Sequence, residues 1–158
     1  MDRIDLEIAE ALEADARLSF ADLAGALSLS KTPCWKRVKA LEEAGVVTGY
    51  HAALSPAALG LGVEAFVQIV LRPEEAPAFE AAVLRHPFVR RCHATTGEGD
   101  YLVHLVARDI AGLDRILREE LARMPGVQRT HTFVATREIK ASHRLAGAAR
   151  AAGLPRGG

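Results

Sequence analysis

The sequence predicts an α+β fold in two parts, and three observations support this prediction. Apolar residues recur at helical spacing through about the first 45 residues. The second half instead alternates strand-like runs with helical ones. Between them lies SPAALGL at residues 55–61, whose Pro and Gly residues are typical of a connecting segment. We therefore expect three helices at the N-terminus and a β-α-β-β-α-β unit at the C-terminus.

Two helices are predicted before residue 27. The first covers residues 2–13, where Asp2 is placed to cap the helix and Ile4, Ile8 and Leu12 recur at every fourth position. Ser19 and Asp22 have the spacing of a capping box, with Asp in place of the usual Glu. They open a short second helix that ends at about Ala26.

The third predicted helix runs from Ser30 to Gly45 and has one apolar and one basic face. Ser30 is placed to accept hydrogen bonds from the first turn, and Gly45 is able to take the left-handed conformation that ends helices. Cys34, Val38 and Leu41 form a stripe at helical spacing, which we interpret as core. No acidic residue occurs between Ser30 and Leu41.

A short helix, a turn of a few residues and a basic amphipathic helix form a helix-turn-helix, whose second helix enters the major groove of DNA. The usual explanation of a Lys/Arg run is a solvated face, and Trp35 is ambiguous because it flanks the apolar stripe. The caps, the turn length and the acid-free face together favour DNA binding. The candidate DNA-binding residues are Ser30, Lys31, Thr32, Trp35, Lys36, Arg37 and Lys39.

The charge balance argues against a strongly basic nucleic-acid binder, because the formal net charge is zero. Positive charge must then be concentrated locally, and binding would need two or more copies. We expect the acidic residues of the first helix to face away from a duplex.

The N-terminus resembles no signal peptide and no apolar run reaches membrane-spanning length, so we expect a cytoplasmic protein. Cys34 and Cys92 are expected to be reduced thiols.

The second half contains an internal repeat. The segment 86–93, HPFVRRCH, matches 124–131, MPGVQRTH, with Pro, Val, Arg and His at one offset. Each copy follows a helical pattern, which itself follows a strand-like run at Val63–Leu71 or Tyr101–Ala107. This order predicts a ferredoxin-like sheet covered by helices on one face only. The other face would carry Phe66, Gln68 and Val70 or their neighbours, and it predicts a dimer formed through that face.

The segment TTGEGDY, residues 95–101, lies between the two middle strands. Its glycines allow a tight turn with open backbone amides, and Asp100 is suited to pair with an ammonium group. Together these groups would suit a free α-amino acid. The alternative is a plain hairpin turn.

The predicted division has four parts. Residues 1–46 form the helix-turn-helix domain, 47–61 a β-linker, 62–140 the ferredoxin-like domain, and 141–158 a basic flexible tail. The tail is rich in Ala, Arg and Gly, contains no acid, and is expected to add non-specific attraction to phosphates.

Several motifs strongly resemble the leucine-responsive regulatory protein/AsnC (Lrp/AsnC) family of transcription regulators. They are TPC-x-x-R-V-x-x-L-E-x-x-G in the third helix, G-x-x-D-Y-L in the second half, and MPGVQRTHTFVATREIK near the end. The resemblance implies a winged/helix-turn-helix three-helix domain, a β-linker and a ferredoxin-like βαββαβ effector domain. It also implies dimers that associate through their sheets, octamers built as tetramers of dimers, and amino-acid effectors without a cofactor.

The resemblance also implies an effector site in the loop and the last strand. Its residues are Thr96, Gly97, Gly99, Asp100, Tyr101, Thr130, Thr132, Phe133, Val134 and Ala135. Thr130 and Thr132 are two residues apart, which places both hydroxyls on one face of the strand. The tail after Ser142 is longer than the family usually shows.

Two alternatives remain open from the sequence. One is an enzyme similar to haem-pathway decarboxylases, with His93, His104 and Cys92 near a metal or porphyrin. The other is an amino-acid sensor that has lost DNA binding. The main prediction is a regulator without enzymatic activity or metal, acting in the cytoplasm at the nucleoid. Its partners are double-stranded DNA, other copies of itself and an amino-acid effector, with no membrane.

Overall fold

The computed structural model describes residues 1–141 and 144–153, and the chain forms two compact units. Unit 1 contains Met1–Ala53 together with the segment that begins at Lys140. Unit 2 contains Leu54–Ile139. The chain therefore leaves the first unit after Ala53 and returns to it near the C-terminus.

Unit 1 is helical. It contains α1 (Arg3–Ala14), α2 (Phe20–Ala26), α3 (Lys31–Glu43) and, from the C-terminal segment, α6 (Ala146–Ala151). The predicted stripe of α3 is confirmed, because Cys34, Val38 and Leu41 are buried with residues of α1 and α2 in one core. Burial raises the pKa of the Cys34 thiol, as expected for a packing residue and not a reactive one.

The ends of these helices follow the predicted chemistry at α1 and α2 but not at α3. Asp2 and Asp5 form a reciprocal capping box, and the Ser19 hydroxyl accepts from the Asp22 amide at 3.1 Å. Ser30 occupies the N-cap of α3, but its side chain makes no capping bond, so that prediction is wrong. The residue three positions on is Pro33, which has no N–H to donate. Gly45 has φ of +68°, which confirms the predicted left-handed end.

Unit 2 has the predicted β-α-β-β-α-β order. Its elements are β1 (Val63–Leu71), α4 (Ala76–Val83), β2 (Val89–Ala94), β3 (Tyr101–Ala107), α5 (Ile110–Arg115) and β4 (Val127–Val134). All neighbouring strands are antiparallel and the sheet order is β2-β3-β1-β4, which is the ferredoxin-like topology. After α5 the chain continues through a π-helical turn, Ile116–Glu120, and a 3-10 turn.

The two faces of the sheet differ. Alternate residues of β1, from Ala65 to Leu71, are buried against the helices that contribute Phe79 and Leu113. Phe66, Gln68 and Val70 therefore lie on the other face, and Phe66 is 37% exposed. We call this other face the open sheet face. Strand register places the following additional residues on it: Arg91, His93, Leu102, His104, Arg129, His131 and Phe133.

The connecting and terminal segments differ from their predictions. The predicted β-linker at residues 47–61 contains no strand and has only a 3-10 turn, Ala57–Leu59. A single strand without a neighbour has no partner for its backbone groups, so propensity alone does not order it. The tail contains helix α6, which contradicts a uniformly flexible tail; residues 142, 143 and 154–158 lie outside the described residues. No described helix is long and apolar enough to cross a membrane.

Candidate nucleic-acid interface and ligand cleft

The exposed face of α3 carries a compact basic and aromatic surface near its N-terminus. Lys31, Thr32, Trp35 and Lys36 are exposed, and 45% of the Trp35 surface is accessible. Neither Lys31 nor Lys36 forms an ion pair within the described residues. Two cations and an indole are therefore free to meet a partner from the N-terminal half of the helix.

Arg37 is held inside unit 1. Its Nη1 atom donates to Asp2 Oδ2 at 2.7 Å and to Asp5 Oδ1 at 2.6 Å, which joins α3 to the start of α1. These hydrogen bonds raise the pKa of Arg37. The pKa of Asp2 is lowered first by the Asp5 backbone N–H and then by Arg37. The acidic start of α1 therefore contacts the third helix at this point, and Arg37 is not a free cation.

Lys39 is also paired. Its Nζ donates to Glu42 Oε2 at 2.6 Å, and the other oxygen of Glu42 accepts from the Tyr50 hydroxyl at 2.9 Å. Glu42 raises the pKa of Lys39, and Lys39 followed by Tyr50 lowers the pKa of Glu42. Glu42 thus fixes Tyr50, a residue of the linker segment, against the exposed end of α3.

The loop between β2 and β3 is closed by its own hydrogen bonds. The Thr95 amide donates to the Asp100 carbonyl at 2.8 Å, and the Thr95 hydroxyl donates to the Gly99 carbonyl at 2.7 Å. Gly97 has φ of +116°, a conformation that favours glycine. Thr96 and Gly97 stay exposed, and their amides have no acceptor within the described part of the chain. The loop is a hairpin connection with open amides at its tip.

Asp100 and Tyr101 face structural partners. Asp100 Oδ2 accepts from the Leu71 amide at 2.9 Å, and the Asp100 amide donates to the Ile69 carbonyl, which ties the loop to the end of β1. Tyr101 is buried among core residues, and its hydroxyl donates to Glu80 Oε1 at 2.5 Å. This bond, with burial, raises the pKa of Tyr101 to about 12. The Tyr101 side chain therefore belongs to the helix-covered face of the sheet.

The predicted residues of β4 do not form one group with the loop. Thr130 pairs with Ile69, close to the loop, whereas Phe133 pairs with Phe66 and Val134 with Ala65, farther along β1. Strand register confirms that Thr130 and Thr132 share a face, and it places Phe133 on the opposite one. A strand advances about 3.3 Å per residue, so Ala135 lies roughly 16 Å from Thr130. One chain alone does not gather the whole predicted set.

The structure instead shows a shallow cleft of about 190 Å³ beside the loop. It is lined by Gln68, Val70, Glu98, Arg129, Thr130 and His131. Of the predicted effector residues only Thr130 lines it. Gly99 is adjacent, since a Cβ there would lie 2.3 Å from Gln68 Cγ. Arg129 and His131 were visible in the sequence as repeated positions, whereas Gln68 and Glu98 gave no signal.

The histidines proposed for the enzyme alternative lie on the open sheet face but do not face each other. His93 pairs with Leu102, and His104 pairs with Arg91. His104 Nε2 contacts Glu64 Oε1 at 2.5 Å, and its ring stacks on Phe66 at 4.7 Å between centroids. Cys92 pairs with Val103 and therefore lies on the helix-covered face.

Comparison with known proteins gives a consistent result in both units. Residues 1–48 match a winged helix-turn-helix DNA-binding family, and residues 64–145 match the Lrp/AsnC ligand binding domain. The leucine-responsive regulatory protein of Salmonella typhimurium is 38% identical over 148 residues, covering 92% of this chain and 90% of that protein. The chain belongs to the Lrp/AsnC family.

Solved structures of bacterial transcriptional regulators share its fold. A Neisseria meningitidis transcriptional regulator in complex with L-Met superposes with a TM-score of 0.87 at 34% identity, over 90% of this chain and 94% of that one. An AsnC family regulator from Agrobacterium tumefaciens gives 0.86 at 33% identity, over 92% and 96%. The predicted family, the two-part fold and the role as a DNA-binding transcription regulator are thereby confirmed.

Proposed function

We propose that this Lrp/AsnC regulator binds DNA through the N-terminal half of α3. Lys31 and Lys36 contact phosphates, while Thr32 and Trp35 reach base edges, because N-terminal residues of a recognition helix lie deepest in the major groove. The observation that carries this proposal is an exposed indole beside two lysines that have no ion-pair partner among residues 1–141 and 144–153. Lys39 and Ser30 lie at the margins of this surface.

Arg37 has a different role in this proposal. Its two carboxylate partners already satisfy its charge, so it orients α3 against α1 and contributes little to phosphate binding. It is therefore a positioning residue of the DNA-binding unit.

The sole tryptophan gives a direct test of DNA binding, because Trp35 is the only such fluorophore in the chain. Titration with a duplex from its own upstream region should change Trp35 emission, and the change should reverse with added salt. A gel shift on the same duplex reports binding independently. If emission and mobility both stay unchanged while the effector still binds, the protein is an amino-acid sensor without DNA binding.

We further propose that the effector is a free α-amino acid held in the cleft beside the loop. Arg129 provides a cation for the α-carboxylate and Glu98 an anion for the α-ammonium, so the two charges of a zwitterion both have partners. The cleft is smaller than the roughly 300–1,000 Å³ of drug-sized pockets. Relatives point the same way, since one is named leucine-responsive and another was solved with L-Met.

In this arrangement Asp100 acts on the loop and does not bind the amino group. Its Oδ2 atom already accepts from Leu71 of β1. Of the remaining predicted residues, register places Thr132 and Val134 on the helix-covered face, and Phe133 and Ala135 lie farther along the chain than the cleft. Phe133 lies on the open sheet face, where a second copy would complete its contacts.

A thermal-shift screen of the amino acids tests the effector proposal, since a ligand that binds the folded state raises the melting temperature with concentration. L-Leucine and L-methionine are the first probes. Glu98→Gln and Arg129→Gln should each reduce the shift, whereas Glu74→Gln, a matched charge loss at an exposed position outside the cleft, should not. A full shift in both cleft variants contradicts the placement.

We propose that two copies associate through their open sheet faces, and that pairs assemble further into octamers. Phe66 and Phe133, 37% and 50% exposed, give this face an apolar centre. A dimer also supplies the second helix-turn-helix that a chain of zero net charge needs for tight binding. Gln68, Arg129 and His131 of the cleft lie on this same face, so pairing of two copies also changes the surroundings of the effector cleft. Effector binding shifts the assembly only if its affinity differs between the assembled states.

The regulator acts without catalysis and without a cofactor, in the cytoplasm where chromosomal DNA lies. The geometry of the enzyme alternative is unfavourable, because His93 and His104 are not opposed and Cys92 lies on the other side of the sheet. Burial raises the pKa of Cys92 further from the reactive range. Colour or bound metal in the purified protein would contradict this part of the proposal.

A further inference from the structure

The C-terminal helix packs on the first helix of the chain. Helix α6, which begins at Ala146, contacts α1, and both belong to unit 1. The match to the Lrp/AsnC ligand binding domain ends at residue 145, immediately before this helix. Helix α6 therefore lies outside both family matches, whereas α1 lies within the helix-turn-helix match.

Two glutamates of α1 make the contact. The Glu13 carboxylate accepts from the Leu145 amide at 2.6 Å and from the Ala146 amide at 3.0 Å. The Glu10 carboxylate accepts from Arg150 Nε at 3.0 Å and from Arg150 Nη2 at 2.5 Å, which makes the ion pair bidentate. Glu10 and Glu13 are three residues apart, so they project from the same side of α1.

The contact also explains why α6 is helical. It has only six residues, and an isolated helix of that length is not stable in water. Glu13 satisfies two amides at its start, Arg150 anchors its last turn, and Ala146 is buried. The helix therefore depends on its position on α1.

We propose that α6 is a second tether that positions the DNA-binding unit, with Glu10, Glu13 and Arg150 as its positioning residues. Without it, only the linker after Ala53, which has a single 3-10 turn, joins the helix-turn-helix to unit 2. Two connections restrict rotation more than one. In a dimer that reads two half-sites, this restriction raises the effective concentration of the second recognition helix at the correct spacing. The inference rests on the proposed DNA-binding function.

The tether also starts at the last strand of the effector unit. β4 ends at Val134, and Leu145, the first residue bound by Glu13, follows eleven positions later. Because the Glu10–Arg150 pair is partly solvent-exposed, we expect its strength to fall with added salt.

A charge-swap experiment tests the tether. Arg150→Glu and Glu10→Arg each place like charges together, and the double variant restores an ion pair. Binding is measured on duplexes whose half-sites are separated by one additional base pair at a time. We expect each single variant to lose several-fold affinity at the preferred spacing and to bind neighbouring spacings more evenly, with the double variant largely restored. Arg115→Glu is the matched control, since Arg115 is exposed and lies in α5 of unit 2.

Hydrogen exchange gives a readout that does not require DNA. The Leu145 and Ala146 amides should be protected in the wild type and exchange faster in Arg150→Glu. Rapid exchange in the wild type, or released amides with an unchanged spacing preference, overturns the tether. If the wild type binds no duplex at any spacing while these amides stay protected, the proposed DNA-binding function fails, and the tether loses its role with it.

Discussion

Lys36 and Arg37 are neighbours on α3 with the same charge but different surroundings. Lys36 is exposed without an ion-pair partner in the described chain, whereas Arg37 is bound to two carboxylates. Position on a helix determines which face a side chain occupies, but only the tertiary structure shows whether another element neutralises it. The basic face of α3 is therefore smaller than its sequence implies.

Replacing Lys36 with Ala should weaken DNA binding without affecting the fold. Removing one phosphate contact per protomer lowers the dependence of log K on log salt by about 0.9 for each copy bound. Salt titrations of wild type and variant measure this slope. Arg37→Ala is the informative comparison: it should lower the melting temperature by a few degrees and leave the salt slope nearly unchanged. Equal slopes for Lys36→Ala and wild type would contradict its phosphate contact.

The Asp2–Arg37 pair predicts a dependence of stability on pH. Because the pKa of Asp2 is lowered from 3.8 in the folded protein, its charged form stabilises unit 1 above that pH. This stabilisation is lost as the pH falls through the lowered pKa. Asp2→Asn keeps a capping oxygen but removes the charge. Its melting temperature should be below that of the wild type above pH 3.8, and the two should converge in more acidic solution. A constant difference would exclude the Asp2 charge, which the Asp5 backbone N–H and Arg37 both stabilise, as its source.

The helices and strands were largely predictable from the sequence, because their signals are local. The stripe of Cys34, Val38 and Leu41 and the alternation along β1 both reflect burial of one face, and both are confirmed. The sequence also weakens the predicted cap at Ser30, since Pro33 removes one of the two backbone amides that an N-cap side chain binds. The register of the strands was not predictable in the same way. It places Thr130 and Phe133 on opposite faces of the sheet, and the Tyr101 side chain points into the core.

The site residues that the sequence missed act across long chain distances. Arg37 reaches Asp2 and Asp5, and Gln68 lies against Gly99 on another strand. Helix α6 depends on Glu10 and Glu13, more than a hundred residues earlier. None of these partners is indicated by periodicity or by local propensity, because each depends on how distant elements pack.

The contact between Gly99 and Gln68 predicts an effect on the cleft. A Cβ at position 99 would lie 2.3 Å from Gln68 Cγ and 2.9 Å from both Gln68 Cδ and Nε2, so Gln68 must move out of its place in the cleft wall. Gly99→Ala should therefore weaken the amino-acid thermal shift, while DNA binding without effector is retained.

Gln68→Ala provides the control for that substitution. It removes the side chain that the new Cβ would meet, so the double variant should melt at a higher temperature than Gly99→Ala alone. The amino-acid response need not return, because Gln68 itself lines the cleft. If Gly99→Ala is as stable as the wild type and responds fully to the amino acid, Gln68 does not shape the site.

At the scale of the whole molecule, assembly must supply what one chain lacks. The chain has no net charge, and its predicted effector residues are divided along β4. Its proposed DNA surface has two lysines without an ion-pair partner in the part of the chain that the structure describes. A second copy on the open sheet face provides another recognition helix and covers Phe66 and Phe133. Dimer formation and DNA affinity should therefore be linked through residues far from the recognition helix.

Phe66→Lys tests this link. Phe66 is partly exposed at the centre of the sheet, so the monomer should fold, while an ammonium group facing a second sheet would be desolvated without a partner. Light scattering should show a monomer where the wild type is a dimer or larger. DNA affinity should fall with it, because one helix-turn-helix reads only a half-site.

Leu84→Lys is the control. It introduces the same charge after α4, on the opposite side of the sheet, at a position that is 87% exposed, and it should change neither the mass nor the DNA affinity. If the Phe66→Lys protein keeps the wild-type mass, the interface lies elsewhere. If it becomes monomeric yet binds DNA normally, pairing of copies does not determine the DNA affinity of this regulator.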